Sequence, residues 1–184
     1  MVSRQHSNKR EERYRNAMRR YKKDRQRNVL AQPGEHAFIL VLDHLQAGFN
    51  VPKIFRSAEA FGAHEIHLIN IDAFDPAPAK GAFRKVPAKF HSNIADCFAH
   101  LKQRGYSLFT LEADKGETLY ESKLPEKSAF ILGNEERGIS FDYSAFPELD
   151  ILSIPHFGET ESLNVSVAAS IVMYEYLSQH HKRK

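Results

Sequence analysis

The sequence predicts an α/β protein built on a mostly parallel sheet with helices on both faces. From residue 37 onward, short apolar runs alternate with segments of helical spacing, the order that yields a parallel sheet covered on both sides. The run 37–42, AFILVL, is apolar throughout, as a strand buried on both faces requires. Glycines also stand where helices should end, at Gly62 and Gly105.

Taken in order, the first element is a basic arm. Residues 1–30 hold eleven Lys and Arg against three acidic residues, a net of +8; the rest hold fifteen against twenty, a net of −5, and together these give +3. Such a division points to a polyanion, such as a nucleic acid, gripped by the arm. Tyr14, Met18 and Tyr21 fall at i, i+4 and i+7, so a helix should dock this face on the body. Arg13, Arg15, Arg19, Arg20, Lys22 and Lys23 would then project outward as RNA-binding cations. Arginine suits this role because its planar fork grips phosphate oxygens in pairs. The arm, 1–30, and one α/β domain, 31–184, are the expected units.

A strand at 37–42 leads to a helix at 50–61 closed by Gly62, then a strand at 65–71. The stretch DAFDPAPAKGAF reads as loop. Ser92 is the expected cap of a helix running to Arg104. YSLFTL, SAFIL and LDILSI read as three short strands. The last helix, 163–179, carries Val167, Ile171, Tyr174 and Leu177 at helical spacing, with Ser162 as its cap.

Several classes are excluded. No apolar run approaches the ~20 residues a membrane helix needs, and the basic N-terminus lacks the apolar core of a secretory signal. The single cysteine, Cys97, allows no internal disulfide and no cysteine cluster, which fits a reducing, cytoplasmic setting. The ten histidines, His180 and His181 among them, show no ligand spacing; they are expected on the surface, and no metal is expected. A nicotinamide enzyme would need GxGxxG after the first strand, where DHLQAGFN stands.

Ligands of open parallel sheets bind beyond the carboxyl ends of strands. Three polar segments occupy such places. The first runs from Asn50 through Pro52 to Arg56, whose six-residue separation is about 600° of helical rotation. The second, Gly133-Asn134-Glu135-Glu136-Arg137-Gly138, sets a charged cluster between two glycines. The third runs from Ile154 to Ser170 and contains Ser162, Leu163 and Asn164.

Together these segments resemble the SpoU (TrmH-type) branch of the SPOUT RNA methyltransferases over residues 38–177, the ending SLNVSVAAS being the most specific part. The resemblance implies a C-terminal trefoil knot, S-adenosylmethionine as cofactor, a homodimer whose site draws on both subunits, and methyl transfer to a ribose 2′-hydroxyl of tRNA or rRNA. It implies catalytic roles for Asn50, Arg56, Glu135, Ser162 and Asn164. By the same resemblance Leu111, Leu132, Gly133, Ile154, Leu163 and Asn164 would surround the cofactor. One position departs: the family usually has glycine two residues after the first asparagine, and here Pro52 stands there, a residue tolerated in a first helical turn. A non-catalytic RNA-binding protein with the same fold is the alternative, though it would need none of this residue set. Arginine does not release its proton at neutral pH, so Arg56 is expected to orient the hydroxyl and stabilise the developing alkoxide.

Overall fold

The computed structural model describes residues 2–113, 115–134 and 136–181, with side chains from residue 9 onward. The chain opens on a long helix, α1 (Val2–Asn28), and continues through β1 (Ile39–Asp43), α2 (Asn50–Ala60), β2 (Glu65–Ile69) and β3 (Ala88–His91). It ends with α3 (Ile94–Gln103), β4 (Ser107–Leu111), β5 (Glu117–Thr118), β6 (Ser128–Leu132), β7 (Leu149–Ser153) and α4 (Val165–His180). The seven strands form one sheet in the order β3-β2-β1-β6-β4-β7-β5, and every pairing is parallel.

Alternation along the strands divides the core. In β1, Leu40 and Leu42 pack with Ile54 and Phe55 of α2 and Val172 and Met173 of α4. Ile39 and Val41 point the other way, to Phe98 and Leu101 of α3. Both faces are therefore dry, which is why this strand reads as an uninterrupted apolar run.

The docking face of α1 lies closer to its end than large side chains alone suggested. Ala17 and Tyr21 are buried while Tyr14 is 65% exposed. Tyr21 stacks on Phe83 (ring centroids 5.6 Å apart) and meets Phe74 edge-on. Asn28, also buried, donates to the carbonyls of Phe83 and Val86 and accepts from the amide of Ala88. Alanine and asparagine carry too little apolar surface to appear in a hydrophobic pattern, so this stripe was hidden.

Four other expectations need correction. The connection after β2 contains two short 3-10 turns, Ala77–Ala79 and Ala82–Arg84, and is followed by β3, an edge strand of AKFH that lacks an apolar pattern. The two-residue β5 is likewise too short to leave a signature. Asn93, not Ser92, caps α3, accepting from the Asp96 amide at 2.8 Å. Asn164, not Ser162, caps α4, accepting from the Ser166 amide at 3.0 Å. Each of these pairs offers good capping residues, and local sequence does not choose between them.

The expected inner face of α4 is also displaced. Val165, Ala169, Val172, Met173 and Tyr176 are buried, whereas Val167 is 48% and Tyr174 67% exposed. The helix is apolar nearly all round, so two stripes share the same spacing; the one holding small Ala169 packs inward. No helix among the described residues is long and apolar enough to cross a membrane.

Candidate active site

The carboxyl ends of β1, β6 and β7 release the three polar segments on one edge of the sheet. At the end of β1, Asp43 is fully buried; it accepts from the amide of Ser140 at 2.6 Å, from its hydroxyl at 2.9 Å, and lies 2.6 Å from Nδ1 of His44. This carboxylate anchors the loop after β6. Sequence reasoning missed it, though an aspartate closing an apolar strand was the available signal.

Within that loop Asn134 and Gly138 exchange two backbone hydrogen bonds, at 2.7 and 2.8 Å, closing a tight turn. The Asn134 side chain accepts from the amides of Glu136 and Arg137 and donates to the carbonyl of His44 at 2.9 Å. The two glycines are needed for distinct reasons. A Cβ on Gly133 would stand 2.4 Å from the carbonyl carbon of Gly138, and Gly138 itself has φ +70°. Glu135 lies outside the described residues.

The first and third segments meet. Asn164, capping α4, donates from Nδ2 to Oδ1 of Asn50 at 3.3 Å, 114 residues away in the chain. A second link joins the same helices, Ser170 Oγ to Ser57 Oγ at 3.1 Å. Pro52 sits buried in the first turn of α2, where no amide donor is required.

Two cavities flank the start of α4. A small one of about 110 Å³ is walled by Leu111, Ile154, Leu163 and Ala168, with Glu112, His156 and Ser162 also lining it. Of the residues that the resemblance sets around the cofactor, Leu111, Ile154 and Leu163 line it, together with Ser162. Leu132 is instead packed in the core, and Gly133 and Asn164 are not in its lining. The other, an open groove of about 820 Å³ between α2 and α4, is lined by Lys53, Arg56, Lys80, Ser166, Val167 and Tyr174 among others. Arg56 is exposed, and no ion pair holds it among the described residues. The two cavities share no lining residue, and Arg56 lines the open groove and not the apolar pocket.

On α1, Arg13, Arg15, Arg19, Lys22 and Lys23 are exposed. Arg20 differs: its Nε and Nη2 are bound to both carboxylate oxygens of Asp75 at 3.1 and 2.9 Å. The expectation of surface histidines fails at His67, which is fully buried beside Glu65, His91 and Cys97 on the far side of the sheet, against α3.

Comparison with known proteins bears on this geometry. The model of the SpoU rRNA Methylase family matches residues 37–174. A 23S rRNA (guanosine-2′-O-)-methyltransferase, RlmB, from Nitrosomonas europaea is 34% identical over 154 residues, 81% of this chain and 59% of that protein. The tRNA (guanosine(18)-2′-O)-methyltransferase of Escherichia coli K12 is 31% identical over 138 residues, 73% of this chain and 60% of that one. Among solved structures, a TrmH-family RNA methyltransferase described as putative, from Porphyromonas gingivalis, superposes with a TM-score of 0.67 at 34% identity, covering 79% of this chain and 61% of its own. The matched region thus spans about three-fifths of each of these relatives.

Proposed function

Because this chain belongs to the SpoU rRNA methylase family, we propose that it transfers a methyl group from S-adenosylmethionine to a ribose 2′-hydroxyl of RNA. The observation that carries this reading is the Asn164–Asn50 contact, which joins the first and third motifs beside the apolar pocket. Leu111, Ile154 and Leu163 offer flat apolar walls suited to an adenine ring, with Glu112 and Ser162 able to meet its polar edges or the ribose. A volume of about 110 Å³ takes the base of the cofactor and not all of it, so its remainder would extend along residues 156–162. Bound there, S-adenosylmethionine supplies a methyl group on a positively charged sulfur. Knotting of the C-terminal strands, as in the family, is part of the proposal; strands β4, β6 and β7 interleave in an order consistent with it.

The placement of the chain's residues supports these roles. Arg56 is placed to orient the 2′-hydroxyl and stabilise negative charge as its proton passes to an RNA phosphate, the new O–CH3 bond forming while the S–CH3 bond breaks to leave a neutral thioether. Held in line, two reactants gain roughly 7–11 kcal/mol from orientation alone. Asn50, fixed by Asn164, sets the approach of the ribose, and Ser162 and Asn164 hold the nucleotide side of the pocket; Glu135, outside the described residues, is assigned a catalytic role on the family resemblance alone. Since Arg56 lines a cavity separate from the apolar pocket, the working site is composite: in a homodimer joined through α2 and α4, one subunit supplies Arg56 and its partner the cofactor pocket. The α1 cations extend the grip on RNA, with residues 31–184 as the catalytic unit in a cytoplasmic setting. Both curated relatives are named for a guanosine, one in 23S rRNA and one in tRNA; this chain's substrate is one of those two RNA classes.

The test is an assay with labelled S-adenosylmethionine and total RNA, followed by mapping of ribose methylation. Incorporation into tRNA or rRNA is expected from the intact protein. Arg56→Ala should abolish transfer while calorimetry still registers cofactor binding. Undiminished transfer by that variant, or no affinity for the cofactor, defeats the reading.

A further inference from the structure

On the face of the sheet opposite the pocket, β2, β3 and α3 enclose a compact group of nitrogen and sulfur donors. His67 Nδ1 lies 3.3 Å from Cys97 Sγ and 3.0 Å from His91 Nε2. All three donor atoms fall within 4.8 Å of one another. Around a tetrahedral zinc ion, with Zn–N of about 2.0–2.1 Å and Zn–S of about 2.3 Å, ligand atoms stand roughly 3.3–3.6 Å apart. The geometry points to a binding site for one borderline-soft divalent cation, zinc the natural probe, held by His67 Nδ1, His91 Nε2 and the Cys97 thiolate, with a fourth position open to water.

Three further observations favour it. The other nitrogen of His67 faces Glu65 Oε1 at 3.2 Å, and Glu65 is itself held by Arg104. That carboxylate accepts Nε2–H, which leaves the lone pair of neutral His67 on Nδ1, aimed at the sulfur and the second imidazole. A carboxylate orienting a ligand histidine in this way is the usual outer shell of a zinc site. Next, the Cys97 sulfur and His91 Nε2 both stand at hydrogen-bond distance from the same Nδ1, whose one lone pair does not satisfy two donors well. A cation removes the conflict. Finally, His67 and Cys97 are buried whereas His91 and His100 reach solvent, so an ion has a way in. Burial, together with Asp43 and Glu65, pushes the Cys97 thiol up to about 12, so the metal-free sulfur keeps its proton at neutral pH.

Loading balances as follows: the ion binds two neutral imidazoles and displaces the thiol proton, and His91 moves its ring proton from Nε2 to Nδ1. One proton is released per ion. Soft thiolate with imidazole selects zinc, cobalt or copper over magnesium or calcium. The site is remote from Asn50, Arg56 and the apolar pocket, so its fate is independent of the methyltransferase reading.

Full-length protein stripped with a chelator and titrated with zinc or cobalt(II) tests this. Expected are one ion per chain, one proton released, and a thiolate-to-cobalt charge-transfer band. Cys97→Ser should lose the band, half-exposed His91→Ala should bind at least about tenfold more weakly, and Glu65→Gln should lose roughly 10–100-fold in affinity. A His180→Gln/His181→Gln double variant should bind as the intact protein does. No stoichiometric uptake by the intact protein, a cobalt spectrum without a thiolate band, or an unchanged band in Cys97→Ser would overturn the proposal; the first two readouts require no variant to fold.

Discussion

Asn28 shows how much one polar side chain can hold. It joins the end of α1 to the backbone of residues 83–88 through three hydrogen bonds, two buried and one part-buried. Removing a buried partner strands the groups it satisfied, at about 1–3 kcal/mol each. Asn28→Ala should therefore lower unfolding free energy by about 2–4 kcal/mol in urea titrations, with the loss shared across several stranded groups. Arg20 and Arg19 form a contrasting pair. Both are exposed, but Arg20 is engaged by Asp75. In RNA-binding titrations against salt, Arg19→Ala should flatten the log–log slope by about 0.7–0.9, and Arg20→Ala by clearly less. Equal effects would show that Arg20 leaves Asp75 for phosphate. The Arg20 guanidinium holds the Asp75 carboxyl below its ordinary 3.8. A depressed carboxylate contributes above its unfolded value and loses that contribution as pH falls through the folded one. Docking of α1, followed by the near-ultraviolet dichroism of Tyr21, should hold at pH 5 and weaken only below that ordinary value. At this scale the sequence revealed the cations but not the carboxylate 55 residues away that occupies one of them.

Among the elements, the turn after β6 is the most tightly specified. Gly133→Ala would drive a Cβ to within 2.4 Å of the Gly138 carbonyl carbon, and backbone cannot yield as a side-chain tip can. A cost of about 1–3 kcal/mol is expected from thermal unfolding, while Gly48→Ala, with nothing within 4 Å, should leave the unfolding temperature unchanged. The elements that were legible share one property: β1, β2, β4, β6 and β7 carry apolar residues because helices or loops bury them. Edge strands β3 and β5 touch less of the core and so escape notice. For α4 the spacing was right and the facing wrong, because Val167, Ile171 and Tyr174 repeat as regularly as Val165, Val172 and Tyr176. Packing on the sheet, where Tyr176 meets Phe38 and Phe130, decides which set turns inward.

For the molecule as a whole, that leftover stripe is a consequence, not an accident. An exposed apolar band on α4 beside α2 is the kind of surface that self-association covers. On the proposed homodimer, Tyr174→Glu should shift the sedimenting species toward monomer in analytical ultracentrifugation and abolish methyl transfer while leaving cofactor affinity intact. A dimer unaffected by the change would move the interface elsewhere. Spacing exposed each motif separately, but their meeting was beyond it, since Asn50 and Asn164 adjoin through a sheet order that no periodicity encodes. The same order sets a timetable for biosynthesis. One edge of β1 must wait for β6, made some 85 residues later. At roughly 5–20 residues per second, a strand apolar in all but its final residue stands half-clad on the ribosome for about 4–17 s. During those seconds the nascent chain is most open to chaperone capture or misassembly with its neighbours.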